Sequence, residues 1–265
     1  MKNQPIKMLL LGLSTALVSP TLAQTSGQIS YEVARKIDPS ALRIMINGEA
    51  VKPGDPNFPT DIPDTRTFQQ KVTFTDKYAK ETVEGGGGMM VRQVMGPGGG
   101  GGVPKTTQLG RPYEETSYVD LAGQQMLTYL TVGKDKEAQT YTTKTPIKRA
   151  EGWQLTDQTK KIAGFQCRKA TVPYQKETYT VWFTTDLPIT YSPIPQLTPE
   201  RGVVLMIESS KEQFRATKVA NNGVAEKDVT PSGSAQAVTE EKLKDIREKA
   251  RADFQQKMMM NMEQN

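Results

Sequence analysis

The block Lys161–Ser210 constrains the fold most, because three short apolar runs follow one another there, split by turn chemistry. In the first, Gly164–Val172, the residues Phe165, Cys167, Lys169 and Thr171 fall on one face of a strand and Gln166, Arg168, Ala170 and Val172 on the other. In the second, Thr178–Thr184, the residues Tyr179, Val181 and Phe183 alternate with Thr180, Trp182 and Thr184. A period of two with β-branched and aromatic residues predicts strand. Pro173–Glu177 is expected to connect them as a long hairpin, since proline fixes φ and offers no ladder donor. Prolines 188, 193, 195 and 199 then predict an ordered loop, Leu187–Arg201, over one edge of the sheet. The third run, Gly202–Glu208, is apolar on both faces and predicts a buried central strand. Gln213–Val219 can return beside it.

The same rhythm runs back through the chain. Gln28–Arg35, Gln69–Thr75, Tyr78–Val83, Glu114–Asp120, Gln125–Val132 and Glu137–Thr143 read as strands, and Trp153-Gln154-Leu155 begins another. Asn47-Gly48 between short apolar runs is the favoured two-residue hairpin turn. With no helical period between the runs, the fold class is mainly β: a curved antiparallel sheet or half-open barrel built from hairpins over residues 24–219. A Gly/Met-rich stretch, 85–104, interrupts it and is expected to stay mobile, since glycine runs lose most entropy on ordering. Residues 220–238 turn small and polar, as a linker does. Over 239–262, Leu243, Ile246, Ala250, Phe254 and Met258 form a stripe at helical spacing behind Thr239 as cap, which predicts one C-terminal amphipathic helix.

The first residues carry an address. Lys2 and Lys7 precede the apolar run Met8–Val18, and Thr21-Leu22-Ala23 supplies small residues before Gln24. This is the pattern of a cleavable signal peptide over residues 1–23, which implies export to the periplasm, the cell envelope or the outside. The run is too short to span a membrane. Without the two lysines of that segment the formal net charge falls from +5 to +3. Lys and Arg are scattered among acids, so nucleic acid is not an expected partner.

The chain has one cysteine and no histidine. Cys167 cannot make an internal disulfide; it is either a small core hydrophobe or an intermolecular partner. Without imidazole, Ser-His and Cys-His nucleophile systems and histidine-held metals are excluded. Carboxylate chemistry is the remaining enzymatic route, through Glu114, Glu115, Asp120, Asp186 or Glu208, but sequence alone shows no pair across a cleft. The glycine runs do not make a phosphate cradle, because Pro104 precedes Lys105-Thr106 and no helix pattern follows.

The stretches Ile162–Ala170, Tyr179–Thr184, Pro188, Ser192-Pro193 and Gly202–Leu205 resemble the GLPGLI family of cell-envelope proteins from Bacteroidetes-type bacteria. The resemblance is densest over Trp153–Glu208. Pro199–Val204 occupies the place of the name-giving hexapeptide and departs from it, which marks a divergent branch. What the resemblance implies is an envelope setting and a sheet of this order, with no defined reaction and no cofactor.

On these grounds the expectation is a non-enzymatic binding or structural module working with an envelope partner. One alternative is a carrier of a lipid or other apolar ligand on the concave face, with Trp153, Tyr179, Trp182 and Phe183 as its lining or as core. Another is Cu(I) binding by thioethers of Met89, Met90, Met95, Met258, Met259, Met260 and Met262, which are soft ligands. The helix could dock on the sheet or serve self-association.

Overall fold

A computed structural model describes residues 26–38, 44–46, 49–56, 58, 63–84, 90–93, 105–108, 111–221 and 223–263. Residues 1–23, where a signal peptide is expected, and most of the insert 85–104 lie outside the described residues. The strands are Gly27–Lys36 (β1), Ile44–Ile46 (β2), Glu49–Val51 (β3), Thr65–Phe74 (β4), Tyr78–Glu84 (β5), Met90–Gln93 (β6), Lys105–Gln108 (β7), Glu114–Asp120 (β8), Gln125–Val132 (β9), Gln139–Pro146 (β10), Gln154–Ile162 (β11), Phe165–Tyr174 (β12), Glu177–Thr184 (β13), Val203–Glu208 (β14), Glu212–Ala220 (β15) and Gln236–Ala237 (β16). The helices are Glu226–Val229 (α1) and Glu240–Glu263 (α2).

Twelve strands form one open sheet in the order β11-β12-β13-β14-β15-β1-β4-β5-β8-β9-β10-β16. Every pairing in it is antiparallel except the short β10–β16 contact. The sheet is curved, and two hydrogen bonds reach across its inner face. Tyr31 on β1 donates to the carbonyl of Val204 on β14, two strands away, at 2.7 Å. Tyr191, whose backbone bridges Val203 of β14, donates to Glu81 of β5 at 2.7 Å. In a flat sheet that second pair would lie at least three inter-strand steps apart, about 14 Å at the usual spacing. A tyrosine and a glutamate would both have to be fully extended in line to span that distance, so the bond fits a sheet that curves its face inward.

The segment 187–197 occupies the fold thus made, and here the expectation of a loop over one edge is corrected. Leu187, Ile189, Tyr191, Ile194 and Leu197 are all buried in the same core cluster as Ile29, Val72, Phe74, Val181 and Ile207. The interleaved prolines explain how a non-ladder segment can be buried: each has no N–H to satisfy. Gly202 returns the chain to β14 at a φ of +105°, where an added Cβ would sit 2.3 Å from the Thr184 carbonyl oxygen. The apolar run Val203–Ile207 is fully enclosed, as its sequence demanded.

The connection over Pro173–Glu177 is tighter than expected. Only Gln175 and Lys176 turn, at φ of 49° and 65°, and Pro173 stays in β12. Pro173 faces Thr178 next to the closing pair Tyr174–Glu177, so its nitrogen points away from β13. On that other side β11 pairs no further than Thr171, and no donor is missed.

At the far end of the sheet α2 lies on the concave face. Thr239 Oγ1 accepts from the Lys242 N–H at 3.2 Å and caps it. Leu243 and Ala250 are buried, and Ile246, Phe254 and Met258 half-buried, so the predicted stripe docks against β9 and β10. No helix among the described residues is long and apolar enough to cross a membrane.

Candidate functional site

Where the buried segment ends, the concave face of β11–β13 is left uncovered, and a groove of about 690 Å³ opens there. Register places its floor. Leu155 on β11 faces Ala170 on β12, and Arg168 on β12 faces Phe183 on β13. One wall is the connector from Arg149 to Trp153; the other is Thr198–Arg201 at the end of the buried segment. The two walls are tied by the Ala150 N–H, which donates to the Gln196 carbonyl at 2.8 Å.

Trp153 is fixed within this groove. Its indole N–H donates to the Ala150 carbonyl at 2.9 Å, and its ring meets Phe183 edge-on with centroids 6.5 Å apart. The indole is half-buried, so part of it faces the groove. Leu155 beside it is 58% exposed, one of few large apolar side chains on this surface to be so. Around these apolar groups stand Arg149, Arg168 and Arg201 with Glu151 and Glu200, three positive charges to two negative. Arg149 donates to Gln124 at 3.3 Å. Arg168 and Arg201 are exposed and make no side-chain hydrogen bond or ion pair to the described residues. The arrangement offers a rigid aromatic surface, an aliphatic patch, and donors and acceptors on one rim, which is how a polar ligand with an apolar face is held.

A second group lies at the seam of the fold. Glu81 accepts from Tyr191, and Gln70, itself buried, hydrogen-bonds Tyr191 in turn. Desolvation pushes the Glu81 carboxyl up to about 7, against the Tyr191 hydrogen bond, which pulls it down. Burial drives Tyr31 and Tyr191 well above the ordinary tyrosine range, with the Glu81 charge adding to it. Glu81 retains some surface exposure, and its row on the sheet continues through the polar residues Ser117, Thr128 and Thr143.

Of the four aromatic residues singled out by sequence, the structure brings Trp153 and Phe183 together. Trp182 points to the opposite face, where its N–H donates to Glu208 at 3.1 Å under Lys160 and Lys169. Tyr179 packs edge-on to Tyr174 and reaches Glu212. The expected apolar ligand face is not an open cavity: the 187–197 segment fills it. The carboxylates considered from sequence do not converge. Glu115 is held by Arg247 at 3.0 Å, Asp120 caps the Gly123 N–H at 2.8 Å, and Glu208 serves Trp182. Cys167 is fully buried, and its thiol, pushed up to about 11 mainly by desolvation, stays protonated near neutral pH. Met258–Met262 lie in the last turns of α2; Met90 falls in β6, and Met89 and Met95 outside the described residues. Among the described residues, no three His, Cys, Asp or Glu side chains cluster as metal ligands. Sequence reading missed Glu81 and the three groove arginines, which are local polar residues until the fold assembles them.

Residues 104–246 match the family model described as N-glycanase peptide, N-terminal domain. That span is more than half of the chain. The chain belongs to the N-glycanase N-terminal domain family. Among solved structures it is similar to PNGF-II in its C2 and P21 crystal forms, with TM-scores of 0.53 and 0.52 at 14% and 15% identity. Those matches cover 85% and 86% of this chain but 33% and 34% of the other, so it spans about a third of the length of PNGF-II. At that identity the likeness shows the fold. No curated protein matches. Family membership overturns the expectation of a non-enzymatic binding or structural module, and with it the lipid-carrier and Cu(I) alternatives. The sequence has no histidine and shows no carboxylate pair across a cleft, but neither absence speaks against an enzymatic family.

Proposed function

We propose that this chain serves the cleavage of glycans, contributing the N-terminal domain of an N-glycanase-type activity and engaging the glycosylated substrate. The observation that carries the reading is the match of residues 104–246 to the N-glycanase N-terminal domain. The uncovered groove at Trp153 supports it, since polar, hydroxyl-rich ligands need donors and acceptors around a rigid apolar surface. Most of the groove, from Trp153 to Arg201, falls in the stretch Trp153–Glu208, which resembles the GLPGLI family of envelope proteins. The leader pattern of residues 1–23 supports export, where glycoprotein substrates are found.

The test uses the purified chain, an N-glycosylated peptide and the same peptide without its glycan. Release of glycan, read by mass, or binding that requires the glycan is the expected result. A folded protein that neither releases the glycan nor prefers the glycosylated peptide overturns the reading.

A further inference from the structure

We propose that the groove between Trp153 and Arg201 is a carbohydrate-binding site for an N-acetylated oligosaccharide segment. The proposal rests on the glycan reading above for its ligand class, and on the groove's own chemistry for its place. A pyranose ring presents C–H groups on one face and hydroxyls around its edge. An indole held by the Ala150 carbonyl and by Phe183 offers a fixed surface for the C–H face without loss of rotamer freedom on binding. Leu155, exposed at the same floor, offers an apolar contact for an acetamido methyl.

The rim supplies the polar half. Arg168 and Arg201 project into the groove with guanidinium donors not engaged by described residues, and a guanidinium fork suits adjacent hydroxyls or an amide carbonyl. Glu151 and Glu200 supply acceptors for hydroxyl or amide hydrogens. The volume, about 690 Å³, lies within the range of pockets that enclose small ligands, roughly 300–1,000 Å³. A lipid tail would make no use of the two arginines and two glutamates on the rim, which are all exposed and would stay in water beside it. The groove residues come from three separate stretches, 149–155, 168–185 and 198–201, joined by the Ala150–Gln196 bond, so the site forms only in the folded sheet.

The test is titration of the full chain with triacetylchitotriose and, separately, cellotriose, followed by calorimetry and tryptophan emission. Saturable binding of chitotriose, with a change in emission and at least about tenfold weaker binding of cellotriose, is the expected result. Trp153→Ala should abolish the binding. Because that change also removes packing, Arg168→Ala/Arg201→Ala, both at exposed positions, is the second variant and should weaken binding at least about tenfold with an unchanged melting temperature. No binding by the wild-type chain, equal binding of the two sugars, or binding untouched in the arginine variant overturns the proposal. A chain that prefers glycosylated peptide regardless of these arginines refutes the groove and leaves the functional reading standing. Chitotriose bound in the groove, with neither release of the glycan nor preference for the glycosylated peptide, does the reverse.

Discussion

Across β13, β14, β15, β1 and β4 the concave face is closed by a segment that is itself apolar, with Leu197 and Tyr191 buried in the same core cluster as Val204 and Val72. Across β8, β9 and β10 the same face is closed by α2, and the contact is largely polar. Arg247 meets Glu115 through two hydrogen bonds, Arg251 reaches the Tyr113 hydroxyl, and Thr145 donates to Glu240. One side therefore gains stability from area removed from water, the other from a narrow stripe plus exposed charge contacts that are individually weak. Continuity of hydrogen bonding hides this difference, since the ladder runs unbroken through both. The lesson is that a single sheet can carry one side that sets global stability and another that can loosen alone.

The sharpest way to break this comparison is Leu197→Ala. Leu197 is fully buried under the sheet, and truncation should cost about 2–5 kcal/mol, visible as a lower urea midpoint for the whole domain. If only the 187–197 segment loosens while the midpoint holds, the two sides do not differ in how they set global stability. Next in size is Glu81→Gln. Glu81 ordinarily titrates near 4.5 and is raised to about 7 in the fold, so its ionised form disfavours the folded state. The contribution is fully favourable below about pH 4.5 and declines as pH rises toward 7, by about 3 kcal/mol at most and less for the solvent it still meets. Glutamine keeps an acceptor for Tyr191 and removes the titration. The variant should be the more stable at pH 8, indistinguishable near pH 4, and flatter between; an identical pH profile for the two proteins would refute the burial of that carboxyl. Leu243→Ala comes third. It should raise amide exchange along α2 and β10 by tenfold or more while β1 and β14 stay protected, because the helix opens without the core.

The apolar half was the legible one. Val203–Ile207 carries its burial in composition, and Tyr179, Val181 and Phe183 show their strand by period alone. Thr239 and the stripe from Leu243 to Met258 announced the helix. What could not be read depends on curvature. Nothing within Tyr78–Glu84 distinguishes Glu81 from a solvent-facing strand residue; its burial comes from Tyr191, far along the chain, folding across. The groove has the same origin. Trp153 was visible as an aromatic without a place, but Arg149, Arg168 and Arg201 become one rim only when the chain around Gln196 packs against Ala150. The prolines of 187–201 spoke for a non-ladder segment, and the apolar residues between them were the signal that it belongs inside rather than at an edge.

The smallest expected effect tests the polar side directly. Arg247 and Glu115 keep about a quarter to a third of their side-chain surface exposed, 26% and 32%, and the pair is a two-bond fork at 3.0 and 3.2 Å. Fork geometry raises its worth above that of a lone surface lysine pair, while solvent lowers it, and Arg247→Ala should cost less than about 1 kcal/mol. That loss should shrink further in 0.5 M salt, where the screening length falls to about 4 Å. Glu115→Gln should give a similar loss, and the double variant little more than either single one, since both remove the same contact. A cost near that of Leu197→Ala, insensitive to salt, would instead mean that α2 is part of the global core, and the two sides of the sheet would then unfold as one.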